Sequence, residues 1–184
     1  MKNINLNFHS QARVWIEDAP SIIYPVIDTL TKDVQTGLTR NSERQRQVAL
    51  EILIPVGVRI LYGLLGAKFI PHDSGKLSLA VLVSTNNEFI FEQSIASQLD
   101  RVRVGLPNEY SQSIVDGALK ALDRETIVKL GSGLIQFDLA AHGEIGSSNK
   151  FFRKIAAIVV QLLTIDTGSS EQEVTEIVKN YSFV

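Results

Sequence analysis

Apolar and polar residues alternate at the start of the chain. In the segment NINLNFH, residues 3 to 9, Ile4, Leu6 and Phe8 are separated by asparagines. A period of two places successive side chains on opposite faces of an extended chain. The pattern predicts a strand with one solvated face.

Two amphipathic helices are predicted next. Asp18 and Pro20 form a helix start, and apolar residues then recur every four positions to about Gly37: Ile22, Val26, Leu30, Val34 and Leu38. Ser42 and Gln45 have the spacing of a capping box for a second helix, which Pro55 ends. Together they predict a helical N-terminal extension.

The middle of the chain favours strands. β-Branched and aromatic residues predict strand-like pieces between Val56 and Gly75, interrupted by glycines. The segment KLSLAVLVS, residues 76 to 84, alternates with Leu77, Leu79, Val81 and Val83 on one face. With Asn86 and Asn87 as a turn and EFIFEQSI after it, this segment predicts a β-hairpin.

The last 80 residues predict a helix, a strand and two more helices. Pro107 starts a helix to Leu122 with Gly117 in its interior, where glycine costs about 1 kcal/mol relative to alanine. We therefore expect Gly117 to allow close approach of a neighbouring backbone. A strand follows in residues 131 to 143, then a largely buried helix capped by Ser147 or Ser148, and a short helix capped by Ser170.

Composition and charge narrow the functional classes. The 184 residues contain no cysteine and have a net charge of −2. The absence of a cationic excess disfavours tight RNA or DNA binding by the isolated protein, and we expect no DNA partner. Apolar runs are far shorter than the roughly 20 residues of a membrane span. The N-terminus has neither a signal-peptide nor a transit-peptide pattern. We expect a cytoplasmic protein that does not bind membranes.

Catalytic and ligand-binding signals are weak. The three histidines, at positions 9, 72 and 142, lack further ligands at metal-binding spacing, apart from Asp73 beside His72 and Glu144 two residues after His142. Ser147 and Ser148 precede an apolar helix, where capping is the ordinary role of serine. No GxxxxGK[ST] phosphate loop is present. We predict no catalytic residue, no cofactor and no metal site, and therefore a protein that is not an enzyme.

The second half of the chain resembles a known family. The stretches GLPNEY and LIQFDLAAHGEIGSSNKFFRKIAA, in the order hairpin, helix, strand, helix, are similar to domain IV of translation elongation factor G and its eukaryotic counterpart. The matching positions are Gly105, Pro107, Glu109, Tyr110, Gly117, Ser147, Ser148, Phe152 and Ala156. The factor's GTPase domain has no counterpart here, and its tip-loop histidine would align with Gly143 rather than His142.

The resemblance implies a fold and a binding surface. The fold is an α+β, ribosomal protein S5 domain 2-like arrangement: a mainly antiparallel sheet with two helices on one face, here with the N-terminal helical extension. We expect one domain over residues 1–184, comprising the extension (1–70), a domain IV-like core (71–165) and a C-terminal helix (166–184). Two loops at one end of the sheet would then form a shared exposed tip with His72, Lys76, His142 and Glu144.

Three functions follow as hypotheses. The first is a non-enzymatic module that binds the ribosome or structured RNA through this tip. The second is a protein-interaction or regulatory module that reuses the fold without binding RNA, with the first 70 residues supplying a specific surface or a homodimer interface. The third is a small-molecule kinase, because such kinases occur in the same fold superfamily, although the phosphate loop they need is missing.

Overall fold

Strands make up most of the N-terminal half of the chain. The computed structural model describes residues 1–7, 9–36, 44–85, 89–166 and 168–181. Within these ranges there are eight strands and four helices. The first six strands are β1 (Lys2–Asn7), β2 (Ser10–Ile16), β3 (Val26–Gln35), β4 (Arg46–Val56), β5 (Arg59–Pro71) and β6 (Lys76–Ser84).

Helices and strands alternate in the C-terminal half. The short strand β7 (Val102–Val104) precedes two helices, and β8 is followed by two more. These elements are α1 (Asn108–Ala121), α2 (Arg124–Leu130), β8 (Gly133–Gly143), α3 (Asn149–Leu162) and α4 (Glu171–Lys179).

One mixed sheet contains all eight strands. Its order is β1-β2-β4-β5-β8-β6-β3, and β7 pairs with the end of β8. The β6–β8 pair is parallel and the other pairs are antiparallel. Strands from the first 71 residues and strands from the rest of the chain therefore share one hydrogen-bonded layer.

The sheet has a different cover on each face. On one face α1 and α3 pack on each other and on β6 and β5, and they bury the larger apolar core, including Leu79, Ile114, Phe137 and Phe152. On the opposite face a second cluster forms around Trp15, Leu64 and Leu139. The irregular residues 89–101, here called the covering segment, contribute Phe91, Ile95 and Ala96 to that cluster. The sheet is thus the central layer of the molecule.

The predicted fold class is wrong. The sheet is mixed and has eight strands, the described residues hold four helices, and the chain begins with a strand instead of a helical extension. The two predicted N-terminal helices are strands β3 and β4. A four-residue spacing is also an even number, so Val26, Leu30 and Val34 fit a strand as well as a helix, and Pro25 is unfavourable inside a helix.

The predicted hairpin also differs from the structure. Leu77, Leu79, Val81 and Val83 are buried as the alternation predicted. However, β6 pairs with β3 and β8 instead of with the segment that follows it. That segment forms only an isolated bridge between Ile90 and Arg103, and the proposed turn residues Asn86 and Asn87 lie outside the described residues.

Helices α3 and α4 begin at serines that the sequence predicted as caps, whereas α2, capped by Asp123, was not predicted. The Ser148 hydroxyl accepts a hydrogen bond from the Phe151 N–H, and the Ser170 hydroxyl accepts one from the Glu173 N–H. A Cβ atom built on Gly117 would overlap the carbonyl group of Arg153 in α3. The close approach expected for this glycine is confirmed, and it sets the spacing of α1 and α3.

Candidate interaction site

The four residues of the predicted tip lie at opposite ends of β8. His72 follows β5 beside the first residues of β8, where its N–H donates to the Ser132 carbonyl at 3.3 Å. Lys76 begins β6 in the same region, with its Nζ 3.6 Å from an Asp33 carboxylate oxygen. His142 and Glu144 lie at the other end of β8, roughly 30 Å away at about 3.3 Å per residue. The prediction of one shared tip is therefore wrong.

His142 is also buried. Only 6% of its surface is exposed, and its Nδ1 lies 3.1 Å from the Gly105 carbonyl oxygen. Because a carbonyl can only accept, Nδ1 carries the proton in this contact. Burial lowers the pKa of His142, and the hydrogen bond to Gly105 opposes that shift. This histidine joins β8 to the start of α1.

Glu144 is half-exposed and pairs with two arginines. Its Oε1 accepts a hydrogen bond from Arg103 Nε at 2.7 Å and lies 3.9 Å from Arg101 Nε. The structure therefore places it at the edge of the covering segment, far from His72 and Lys76.

A fully buried carboxylate holds the covering segment on the sheet. Glu51 of β4 accepts hydrogen bonds on Oε1 from the Tyr62 hydroxyl at 2.9 Å and the Ile95 N–H at 3.1 Å. Its Oε2 lies 3.4 Å from a guanidinium nitrogen of Arg13, which also donates to the Gln93 carbonyl at 2.8 Å. Burial raises the pKa of Glu51, and the hydrogen bonds from Tyr62 and Ile95 oppose the rise.

A second buried carboxylate connects the covering segment to the end of β8. Asp100 accepts hydrogen bonds from the backbone N–H groups of Ile145 at 3.2 Å and Gly146 at 2.8 Å. A side chain at Gly143 would overlap the Asp100 carboxylate. The sequence GEIG, residues 143 to 146, therefore forms a turn shaped around Asp100.

An open groove runs along the covering segment beside this turn. One part, of about 580 Å³, is lined by Ile90, Phe91, Leu99, Val102 and Ile145 together with charged residues at its edge. An adjoining hollow of about 430 Å³ shares Ile90, Phe91 and Glu92 with the first part and adds Ile22, Ile23 and Phe89. We call the two together the covering-segment groove.

Large apolar side chains are exposed along this groove. Ile23 is 84% exposed, Ile145 76%, Phe89 67% and Leu99 58%. Single exposed apolar residues are ordinary in folded proteins, whereas several around one concavity are typical of a binding surface. The groove is the strongest concentration of such residues in the described parts of the chain.

The charged residues of the groove give it an acidic edge. Glu92, Asp100 and Glu144 supply three carboxylates, and Arg101 supplies one guanidinium group. Asp100 accepts hydrogen bonds from backbone N–H groups, and Glu144 pairs with arginines. Glu92 is exposed. Glu92 is therefore the carboxylate of this edge that suits a lysine or arginine of a ligand.

The sequence contained one usable signal for this site. Glu51 is a lone carboxylate in the apolar run VALEILIPV, residues 48 to 56, and a buried charge needs partners. The groove itself had no such signal, because its residues come from separate parts of the chain and meet only through the fold.

Comparison with known proteins adds no family assignment: no protein-family model and no curated protein matches this chain. The resemblance to elongation factor G domain IV therefore stays a prediction.

Among the residues that the structure describes, no group of three or more His, Asp or Glu side chains could hold a metal ion. None of the helices in the described ranges is both long and apolar enough to cross a membrane.

Proposed function

We propose that the protein is a non-enzymatic protein-interaction module. Its covering-segment groove binds a segment of a partner protein that carries large apolar side chains beside a lysine or arginine. The single observation that carries this proposal is the row of exposed apolar residues Ile23, Phe89, Leu99 and Ile145 around one groove.

Two buried carboxylates support a preformed groove. Glu51 fixes the middle of the covering segment through the Ile95 N–H, and Asp100 fixes its end through Ile145 and Gly146. A preformed surface loses less conformational entropy when a ligand binds than a mobile one does. The rigid attachment of this irregular segment is therefore favourable for binding.

The acidic edge favours a protein over a nucleic acid. Phosphate groups are bound by concentrated lysine and arginine, whereas three of the four charged groups here are carboxylates. The resemblance implies that the ribosome or structured RNA binds at the predicted tip. The residues of that tip lie at opposite ends of β8, so they do not form one binding surface.

Selection from a random-peptide phage library tests the proposal. Wild-type protein should enrich peptides that combine two large apolar residues with lysine or arginine. The double variant Leu99→Asp/Ile145→Asp should lose at least tenfold in affinity for the enriched peptides, because charged groups replace the apolar contacts. Synthetic copies of those peptides, titrated by fluorescence anisotropy, provide the measurement.

A matched control is available outside the groove. Val58, in the turn between β4 and β5, is fully exposed, so Val58→Asp adds an exposed carboxylate, half the charge of the double variant, without touching the groove. It should bind the peptides as wild type does. Equal binding by all three proteins would contradict the proposal, as would salt-dependent binding of an RNA hairpin that Leu99→Asp/Ile145→Asp leaves unchanged.

A further inference from the structure

Strand β3 is an open edge of the sheet. Within the described ranges it pairs with β6 alone and stands last in the strand order. Eight of its ten side chains are exposed, and the other two are half-buried. An edge of this length presents unpaired backbone N–H and C=O groups that can accept another strand.

The side chains on one face of β3 follow a symmetric order. Asp28, Leu30, Lys32 and Val34 lie opposite Val83, Val81, Leu79 and Leu77 of β6, so they share the face of the sheet that carries α1 and α3. Asp28 and Lys32 have opposite charges and are equally distant from Leu30. This symmetry allows the strand to complement a second copy of itself.

We propose that two copies of the chain form a homodimer by antiparallel pairing of their β3 strands about a two-fold axis at Leu30. Asp28 of each copy then faces Lys32 of the other, Leu30 faces Leu30, and Thr29 faces Thr31. Opposite charges and threonine pairs that face each other stabilise an antiparallel ladder. The two sheets become one continuous sheet.

Backbone geometry limits the alternative registers. Every second residue of β3 directs its N–H and C=O groups to the free edge. Even-numbered residues can therefore pair only with even-numbered residues of the second copy, and odd-numbered residues only with odd-numbered ones. Centring the axis on Thr31 would place Asp28 against Val34 and Lys32 against Leu30. Centring it on Lys32 would place two lysines together. Only the Leu30 register pairs the opposite charges.

The charges on β3 are available for this pairing. Asp33 already contacts Lys76 and accepts a hydrogen bond from Ser78. Asp28 Oδ1 accepts a hydrogen bond from the adjacent Thr29 N–H at 2.7 Å, and neither Asp28 nor Lys32 forms an ion pair with another described residue. Charged side chains on an edge strand commonly block association, whereas in the Leu30 register Asp28 of each copy attracts Lys32 of the other.

A bulge sets the length of the new ladder. The pairing of β3 with β6 shifts between Val26 and Asp28, so the regular ladder covers residues 28 to 32 of each copy. Val26 and Ile27, which are 48% and 60% exposed, then lie next to the second copy beyond the bulge. Such a short ladder gives a weak dimer in rapid exchange with monomer.

Charge exchange tests the pairing by sedimentation velocity over a range of protein concentrations. Wild type should show a concentration-dependent monomer–dimer equilibrium. Asp28→Lys and Lys32→Asp should each weaken the dimer at least tenfold, because like charges then face each other twice. The double variant Asp28→Lys/Lys32→Asp and an equimolar mixture of the two single variants should both regain dimer. Circular dichroism checks that each exposed substitution leaves the fold intact.

Disulfide trapping gives an independent measurement. The chain has no cysteine, and residues directly opposite in an antiparallel ladder have Cα atoms about 4.5–5.5 Å apart, which suits a disulfide. Oxidised Leu30→Cys should form a covalent dimer, while Gln35→Cys, distant from the axis, should not. A wild-type monomer at all concentrations, or a dimer that both single charge variants leave unchanged, would overturn the proposal.

Discussion

The burial and the contacts of individual polar residues were among the features that could not be predicted from the sequence. His142 follows an apolar strand and precedes GEIG, which favours an exposed loop, yet the structure buries it against Gly105 and Tyr110. Glu51 is fully buried with Tyr62 and Ile95 as partners. Neither partner set could be deduced from the sequence, because the partners lie at least eleven positions away along the chain.

Gly117 shows the opposite case, in which a single residue did indicate its contact. The substitution Gly117→Ala should destabilise the protein by about 2 kcal/mol. A new Cβ would overlap the Arg153 backbone in α3, and displacement of packed elements costs about 3 kcal/mol. The higher helix propensity of alanine offsets only about 1 kcal/mol. Urea unfolding monitored by circular dichroism measures the difference.

Gly168→Ala is the matched control for this measurement. A Cβ at Gly168 would meet no atom within 4 Å, so its unfolding free energy should stay within about 0.5 kcal/mol of wild type. A similar loss of unfolding free energy in both variants would show that overlap with Arg153 is not the cause of the destabilisation by Gly117→Ala.

At the scale of elements, end signals were correct in the C-terminal half of the chain and misleading in the N-terminal half, where Asp18 with Pro20 and Ser42 with Gln45 indicated helices that are strands. The helices α1, α3 and α4 begin beside Pro107, Ser148 and Ser170, and each start agrees with the structure. For β3 the four-residue spacing added to the misleading start signal, since apolar residues four apart lie on one side of a helix and of a strand alike. For β4, an apolar run buried on both faces carries no period that separates the two structures.

The cap of α3 provides an element-scale prediction. Ser148→Ala should lower the unfolding free energy by about 1 kcal/mol, because the Phe151 N–H loses the hydroxyl that accepts its hydrogen bond. Ser148→Asp should retain most of the stability, since a carboxylate can also accept this bond and suits a helix N-terminus. Chemical unfolding of the three proteins measures both effects. Equal losses for alanine and aspartate would indicate that packing, not capping, fixes this residue.

At the scale of the whole molecule, the two faces of the sheet differ in kind. The face under α1 and α3 is apolar and closed, whereas the opposite face contains Glu51 and is covered by an irregular segment. The periodic spacing of apolar residues could predict the face under α1 and α3, because side chains on one side of a helix or strand recur at a fixed interval. It could not predict the groove, whose residues become neighbours only when the covering segment attaches to the sheet.

The attachment at Glu51 makes the stability of the whole molecule depend on pH. Because burial raises the pKa of Glu51 above its ordinary 4.5, the folded protein keeps this proton to a higher pH than the unfolded chain does. The stability that the proton contributes is complete below pH 4.5 and is lost as pH rises through the folded pKa. Glu51→Gln has no such proton to lose, so its unfolding free energy relative to wild type should increase as pH rises from 4.5 towards 7.

Urea unfolding of both proteins at a series of pH values measures this difference. Subtracting the two curves cancels the groups that titrate in both proteins, so the remaining slope belongs to Glu51. Glu92→Gln removes an exposed carboxylate from the same segment and controls for the loss of one negative charge. Parallel curves for wild type and Glu51→Gln would mean that the proton on Glu51 is held equally in both states, and burial would then not dominate at this site. A rising difference would show that the folded protein holds the Glu51 proton more tightly than the unfolded chain does.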